Sequence, residues 1–357
     1  MREPKNVLVT GGAGFIGSNF IRYLFDTEDD VRVINLDKLT YAGNLMNLAD
    51  IEEKYGGSRY RFRQADITDP KECRSILEEH DVDTVAHFAA ESHVDRSIEG
   101  PSDFIRTNIT GTFVLLDILR DLWKGRDDVL FHHVSTDEVF GSLGHEGYFT
   151  ETTPYDPRSP YSASKASSDH LVRAYHHTFG LPVTISNCTN NYGPYQFPEK
   201  LIPVMIENML AMKNLPVYGD GKNIRDWLYV EDHSEAIWTV IRKGRTGETY
   251  LMGGENEWEN IKLIHVLCEV TAEKTGKPRD HYKQLITFVK DRPGHDRRYA
   301  VDCSKIKEEL GWKQTVSFRQ GLEKTVEWYL KNREWVESVK SGEYRAWMEK
   351  NYDLRQA

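Results

Sequence analysis

A glycine-rich turn between a short apolar run and a longer amphipathic one constrains this chain more than any other feature. Residues 6–10 (NVLVT) read as a strand buried on both faces, a helical pattern begins at Phe15, and TGGAGFIG between them spaces Gly11, Gly14 and Gly17 three residues apart. Glycine here lets the backbone turn tightly and approach a pyrophosphate, which then sits on unpaired N–H groups at the positive end of the helix. Asp37 closes a second strand 20 residues beyond Gly17, where a carboxylate can accept hydrogen bonds from adenosine ribose hydroxyls. Together they predict a dinucleotide site. Asp37 would repel the extra phosphate of NADP and so favours NAD, although Lys38 beside it could help to hold such a phosphate.

The alternation continues to about residue 190. Runs 31–37, 60–66, 83–88, 129–135 and 182–188 read as further strands, and 15–25, 45–55, 72–79, 104–123 and 161–179 as helices packing one face on a sheet. Six such strands suit a doubly wound parallel α/β sheet of Rossmann type, assigned to residues 1–190 together with the cofactor and the catalytic residues. Beyond it the order loosens into NYGPYQFPEKLIP and PVYGDGKNIRD. Residues 191–357 are expected to form mainly a second, smaller mixed α/β substrate lobe, with some return of chain to the first domain; a length of 357 residues suits two lobes. The stretch 322–347, with Trp328, Trp335 and Trp347 at near-helical intervals, reads as surface helices packed by aromatic residues.

Composition excludes several function classes. Lys and Arg number 46 against 56 Asp and Glu, a net charge of −10, so no broad cationic surface is on offer to nucleic acid or to an anionic membrane. Cys73, Cys188, Cys268 and Cys303 form no CxxC pair, which argues against a zinc ribbon or a disulfide framework and for a reducing cytoplasm. No signal-peptide core or membrane-length apolar run is present. The 13 histidines include no HExxH and the serines no GxSxG, so neither metal nor serine-hydrolase chemistry is expected.

Two clusters carry chemistry. Tyr161 and Lys165 in YSASK share one helix face at i,i+4, and a nearby ammonium favours phenolate, which makes the phenol a usable base toward a substrate hydroxyl. Ser135-Thr136-Asp137-Glu138 ends the fifth strand, where ligands of open parallel sheets bind. Thr136 offers a hydroxyl, and the adjacent carboxyls of Asp137 and Glu138 suit one general acid and one general base. A helix cap followed by a solvated acidic turn would use the same residue types.

TGGAGFIG, Asp37, the 89–93 segment AAESH and YSASK together resemble the extended short-chain dehydrogenase/reductase family over nearly the whole chain. Within it, DKLTYAGN, AAESHVDRS, STDEVFG, NNYGPYQFPEKLIP and RPGHDRRY resemble the sugar-nucleotide 4,6-dehydratases, with Phe88 and Phe140 as departures. The resemblance implies NAD as cofactor, dTDP-glucose as substrate and a redox-neutral loss of water. Tyr161 would take the proton of the carbon 4 hydroxyl, which Thr136 also holds, and Lys165 would orient the nicotinamide ribose. Glu138 would remove the carbon 5 proton while Asp137 protonates the departing carbon 6 hydroxyl. NAD contacts are implied for Gly11, Gly14, Phe15, Ile16, Gly17, Asp37, Lys38, Leu39, Thr40, Asp66, Ile67, Ala89, Ala90, Thr107, Tyr161, Lys165 and Asn191. Substrate contacts are implied for Ser92, Thr136, Asn190, Lys200, Leu201, Pro216, Tyr218, Arg225, Asn260, Arg292 and His295. Of these, Arg225 and Arg292 have guanidinium forks that match a diphosphate, and Tyr218 could stack on the base. A homodimer formed through helices 104–123 and 161–179 is implied as well. A UDP-glucose 4,6-dehydratase, a UDP-sugar 4-epimerase and a noncatalytic NAD-sensing protein share parts of this pattern. Epimerisation loses no water, so the Asp137–Glu138 pair separates it from elimination.

Overall fold

The computed structural model describes residues 1–291 and 295–340, so the expectations for Arg292 and Trp347 lie outside the described residues. Strand β1 (Asn6–Thr10) passes through the glycine turn into α1 (Phe15–Thr27), followed by β2 (Arg32–Asp37), α2 (Ala49–Tyr55), β3 (Tyr60–Gln64), α3 (Pro70–Glu79) and β4 (Thr84–His87). Two short helices, α4 (Val94–Glu99) and α5 (Pro101–Phe104), and a π-helical segment (Ile105–Gly111) lead to α6 (Thr112–Leu122), β5 (Leu130–Thr136), α7 (Pro160–Phe179) and β6 (Val183–Cys188). Then come β7 (Asn190–Tyr192), α8 (Leu201–Leu210), β8 (Leu215–Tyr218), β9 (Ile224–Tyr229), α9 (Val230–Lys243), β10 (Thr249–Met252) and β11 (Glu257–Glu259). The described chain closes with α10 (Asn260–Thr275), β12 (Ile286–Val289), α11 (Ser304–Leu310), α12 (Phe318–Lys331) and α13 (Arg333–Val339).

Seven parallel strands form the main sheet in the order β10-β6-β5-β4-β1-β2-β3. The chain winds outward from β1 to β3 and then crosses to β4, which opens a crevice beyond the carboxyl ends of β1 and β4. The sequence predicts six strands; the seventh, β10, comes from the second half of the chain and places Thr249 opposite Ile185 of β6. Its four residues, TYLM, are too short a run for periodicity to separate from a buried turn. Two smaller sheets, β11-β9-β7 and β12-β8, occupy the rest of the second half.

The helix foreseen over 104–123 runs on without a break and widens to π-helical hydrogen bonding over Ile105–Gly111, where the Asn108 side chain bonds both the N–H and the C=O of Glu91 (2.8 and 2.9 Å) and the Ser164 hydroxyl (2.8 Å). Gly111 lies in the same segment because a Cβ there would stand 2.4 Å from Ile67 Cδ1. In α13, Trp335 packs its helix as an aromatic anchor: it is buried, its Nε1 donates to Asn47 Oδ1 (2.7 Å), and it meets Trp328 and Tyr195.

Local sequence explains α7, which carries the YSASK motif. Ser159 and Ser162 form a reciprocal capping box, Pro160 suits the first turn, and Gly180 ends the helix in the left-handed conformation (φ 70°). Its inner face lies against β5, all seven residues of which are buried.

Gly11 joins the two strands at the crevice. It has φ +71°, and a Cβ would stand 2.7 Å from the Ala89 backbone nitrogen just after β4. Gly125 has φ +80° with open space around it. We therefore expect Gly125→Ala to lower unfolding free energy in urea by about 1 kcal/mol, from backbone strain alone. Gly11→Ala should cost about 3 kcal/mol or more, because strain and a backbone clash combine. Equal losses would contradict this reading.

Candidate active site

Beyond the carboxyl ends of β1, β4, β5 and β6 lies a cavity of about 320 Å³. It gathers Gly11, Gly14, Phe15, Ile16, Gly17, Asp37, Lys38, Thr40, Asp66, Ile67, Ala89, Ala90, Thr107, Tyr161, Lys165 and Asn191, so every residue expected to meet NAD lines it except Leu39. Leu39 instead donates its backbone N–H to Asp37 Oδ1 (2.8 Å), while Ala13 N–H binds Oδ2 (3.0 Å), and the pair aims the carboxylate. Burial pushes the Asp37 pKa up and these two N–H groups oppose the rise. The glycine turn closes only without side chains: a Cβ on Gly17 would stand 2.3 Å from the Gly11 carbonyl oxygen. Lys38 is committed to Asp66 (2.8 Å), which weakens its case as a binder of an extra phosphate. The residues present thus fit NAD.

The chemistry-bearing side chains meet in the same cavity, on two elements. At the end of β5, the Thr136 hydroxyl accepts from Glu138 N–H (3.2 Å) and so starts the tight turn that presents both acids. Asp137 is 2% exposed. Its Oδ1 accepts from the Thr136 hydroxyl (3.3 Å), whereas Oδ2 has no hydrogen-bond partner among the described residues. Burial raises the Asp137 pKa far above the usual carboxylate range, the charge of Glu138 adds to the rise, and Arg225 opposes it. Burial thus favours the protonated form of Asp137, which has one oxygen uncommitted among the described residues, while Glu138 beside it is only half-buried.

Tyr161 and Lys165 approach from α7, both buried. The sequence suggests that the ammonium pulls down the phenol pKa, but Lys165 Nζ donates to the Val134 carbonyl (2.8 Å) rather than to the phenol. Burial pushes Tyr161 up, Glu138 and Cys188 add to this, and a hydrogen bond with Thr136 works in the other direction. Lys165 itself is brought down to about 8 by burial.

The expected substrate residues fall into two groups. Ser92, Thr136, Asn190 and Lys200 line the cavity. Leu201, Pro216, Tyr218, Arg225, Asn260 and His295 do not, and several of them gather on the second half of the chain: the Tyr218 and His295 rings meet edge to face at 6.3 Å. Arg225 is not an open fork. Its two terminal nitrogens donate to the carbonyls of Ile224 (2.8 Å) and Asp296 (2.9 Å), its guanidinium covers the Tyr299 ring at 4.2 Å, and its charge acts on Asp137. Motif reading missed Tyr41, Gln196, Phe197 and Glu199, which also line the cavity; Tyr41 donates to Glu199 at 3.1 Å. They lie inside DKLTYAGN and NNYGPYQFPEKLIP, so the signal was present without a physical rule to single them out. No group of three metal-ligating side chains occurs among the described residues.

Comparison with known proteins agrees with this geometry. The model of the family described as GDP-mannose 4,6 dehydratase matches residues 8–325. The dTDP-glucose 4,6-dehydratase of Escherichia coli is 55% identical over 364 residues, covering 98% of this chain and 99% of that protein. That of Xanthomonas campestris pv. campestris (strain B100) is 57% identical over 347 residues, covering 95% and 97%. Among solved structures, the Streptomyces venezuelae dTDP-glucose 4,6-dehydratase with NAD and dTDP bound is similar at a TM-score of 0.86 and 47% identity, covering 94% of this chain and 100% of that one. A Thermotoga maritima UDP-glucose 4-epimerase with UDP-glucose reaches 0.81 at 30% identity, covering 92% and 99%. The resemblance to the extended short-chain dehydrogenases is borne out, and the chain belongs to the GDP-mannose 4,6 dehydratase family.

Proposed function

We propose that this chain is an NAD-dependent enzyme that converts dTDP-glucose to dTDP-4-keto-6-deoxyglucose and water. The observation that carries the reading is the buried Asp137, its pKa pushed up by burial and one oxygen uncommitted, set beside the half-buried Glu138 in the same cavity as Tyr161. The relatives more than half identical to the chain have the same activity in their names.

NAD bound in the cavity supplies a hydride acceptor for carbon 4 of the sugar and, once reduced, a hydride donor, so no external reductant is consumed. The protein's own groups do the rest. Tyr161, in its ionised form, takes the carbon 4 hydroxyl proton as that carbon becomes a ketone, and Thr136 holds the same oxygen. The ketone acidifies the carbon 5 C–H, and Glu138 removes that proton. Asp137 gives its proton to the carbon 6 hydroxyl, which leaves as water as the carbon 5–carbon 6 double bond forms. Carbon 6 would receive the hydride that the bound cofactor took from carbon 4, and a proton returned to carbon 5 completes the 4-keto-6-deoxy sugar. Burial of Asp137 is what makes it a donor, since an ionised carboxylate has no proton to give. Residues from 191 onward provide the sugar-nucleotide lobe, with Tyr218, Arg225, Asn260 and His295 beyond the cavity.

A UDP-glucose 4,6-dehydratase would use the same acids and differ at the base. We further propose a homodimer through α6, α7 and the segments beside them, whose exposed apolar side chains include Ile98, Ile105, Phe113 and Phe179. The buried, unpaired state of all four cysteines suits a reducing cytoplasm.

Incubation with dTDP-glucose and no reductant should give a product lighter by one water, formed faster than from UDP-glucose. A mass-neutral epimer would contradict the proposal. Glu138→Gln and Asp137→Asn should each lower kcat by about 10²–10⁴-fold. In D₂O the two should part: substrate recovered from Asp137→Asn should carry deuterium at carbon 5, and substrate from Glu138→Gln none. Sedimentation velocity should give a dimer that Phe113→Glu weakens; a monomeric wild type would refute the assembly.

A further inference from the structure

The strongest unassigned feature is a carboxylate with no surface at all. Asp169 lies on α7 one turn beyond Lys165 and two beyond Tyr161, and its side chain is 0% exposed. Three donors converge on its Oδ2: the hydroxyls of Ser135 (2.9 Å) and Tyr155 (2.8 Å) and the Asn187 amide (3.2 Å). His133 Nε2 stands 3.2 Å from Oδ1. Asn187 also donates to the Thr136 carbonyl (2.9 Å), and Ser135 immediately precedes Thr136. One buried carboxylate therefore ties the helix that carries Tyr161 and Lys165 to the strand end that carries Thr136, Asp137 and Glu138.

Its charge has a second use. Lys165 is a buried ammonium whose one hydrogen-bond acceptor among the described residues is the Val134 carbonyl, and a buried cation persists only if something offsets its lost hydration. Asp169 sits one helical turn away, the spacing at which opposite charges attract on a helix. The other titratable groups facing this region do not serve. His87 on β4 and His133 on β5 are both kept neutral by burial, His133 falling to about 4. The Cys188 thiol on β6 is pushed up to about 12 by burial, the Tyr155 hydroxyl is likewise held neutral, and Arg173 is a second cation, bonded to the Tyr155 hydroxyl (2.9 Å) and Thr249 (3.1 Å).

We propose that Asp169 is a positioning residue of the reaction: its buried carboxylate is the counter-ion that keeps Lys165 charged and the joint that aligns the oxidising and eliminating halves of the site. This rests on the dehydratase reading above. Burial acts to raise Asp169, but His133, Lys165 and Ser135 outweigh it and the net shift is downward, so the group is anionic at neutral pH. Lys165 is lowered by burial to about 8 and raised in part by Asp169. Without that charge, the ammonium is lost at a lower pH.

The test is kcat and kcat/KM for dTDP-glucose against pH, in wild type, Asp169→Asn and Asp169→Glu. In Asp169→Asn the alkaline limb should move down by about one pH unit, with KM little changed. Asp169→Glu keeps the charge but disturbs the three-donor cradle, so kcat should fall while the limb stays near its wild-type position. A uniform loss at every pH with the limb unmoved in Asp169→Asn overturns the proposal, as does an equal displacement in both variants. If circular dichroism shows that Asp169→Asn does not fold, Asp169→Glu decides: a displaced limb or an unchanged kcat refutes the assignment. Failure of the wild type to dehydrate dTDP-glucose would refute the function, an outcome distinct from either.

Discussion

The site depends on one constraint, the exclusion of water from the carboxyl end of β5. That strand lies between β4 and β6 with all of its residues buried, so the acids that follow it emerge into a low-dielectric environment. Charge is costly there unless paired, and burial favours the protonated form of Asp137, which has one oxygen bonded only weakly to Thr136 and the other without a partner among the described residues. Glu138, one residue further and half-buried, stands in a more solvated setting. Adjacent carboxyls thus stand in different surroundings from position alone, which is the division the proposed elimination requires.

The remaining elements bring other groups to that strand end. The crossover from β3 to β4 opens the crevice, Gly11 and Ala89 close the approach of β1 to β4, and the capped helix α7 sets the phenol and the ammonium opposite Thr136. The connection is made of buried polar contacts as well as apolar packing. Asn108 fixes Glu91 after β4, Asn187 fixes the Thr136 carbonyl, and Asp169 joins α7 to both β5 and β6. Such groups tolerate little displacement, because losing one partner leaves a buried polar atom unsatisfied.

The cofactor half of the site was the most legible in the sequence, because a glycine triplet, a following helix and a distant acid are local features with strict backbone requirements. The parallel sheet was legible through its long apolar runs, and β10 was not, since four residues returning from the second half carry no periodicity of their own. Roles set by three-dimensional surroundings were harder to see. The i,i+4 spacing placed Lys165 near Tyr161, but only the fold shows its ammonium on the Val134 carbonyl. Arg225 looked like a diphosphate fork and is bonded to backbone carbonyls. Asp169 carries no motif of its own, and nothing in a helical pattern reveals that it and Lys165 both face inward.

The most direct measurement is the protonation state of Asp137, read by infrared difference spectroscopy on protein carrying ¹³C-labelled aspartate, with Asp137→Asn as the reference. At pH 7 the account predicts the carbonyl stretch of a protonated carboxylic acid that is absent from Asp137→Asn. A carboxylate signal in its place would mean that burial does not hold the proton, and the assignment of Asp137 as the acid would fall.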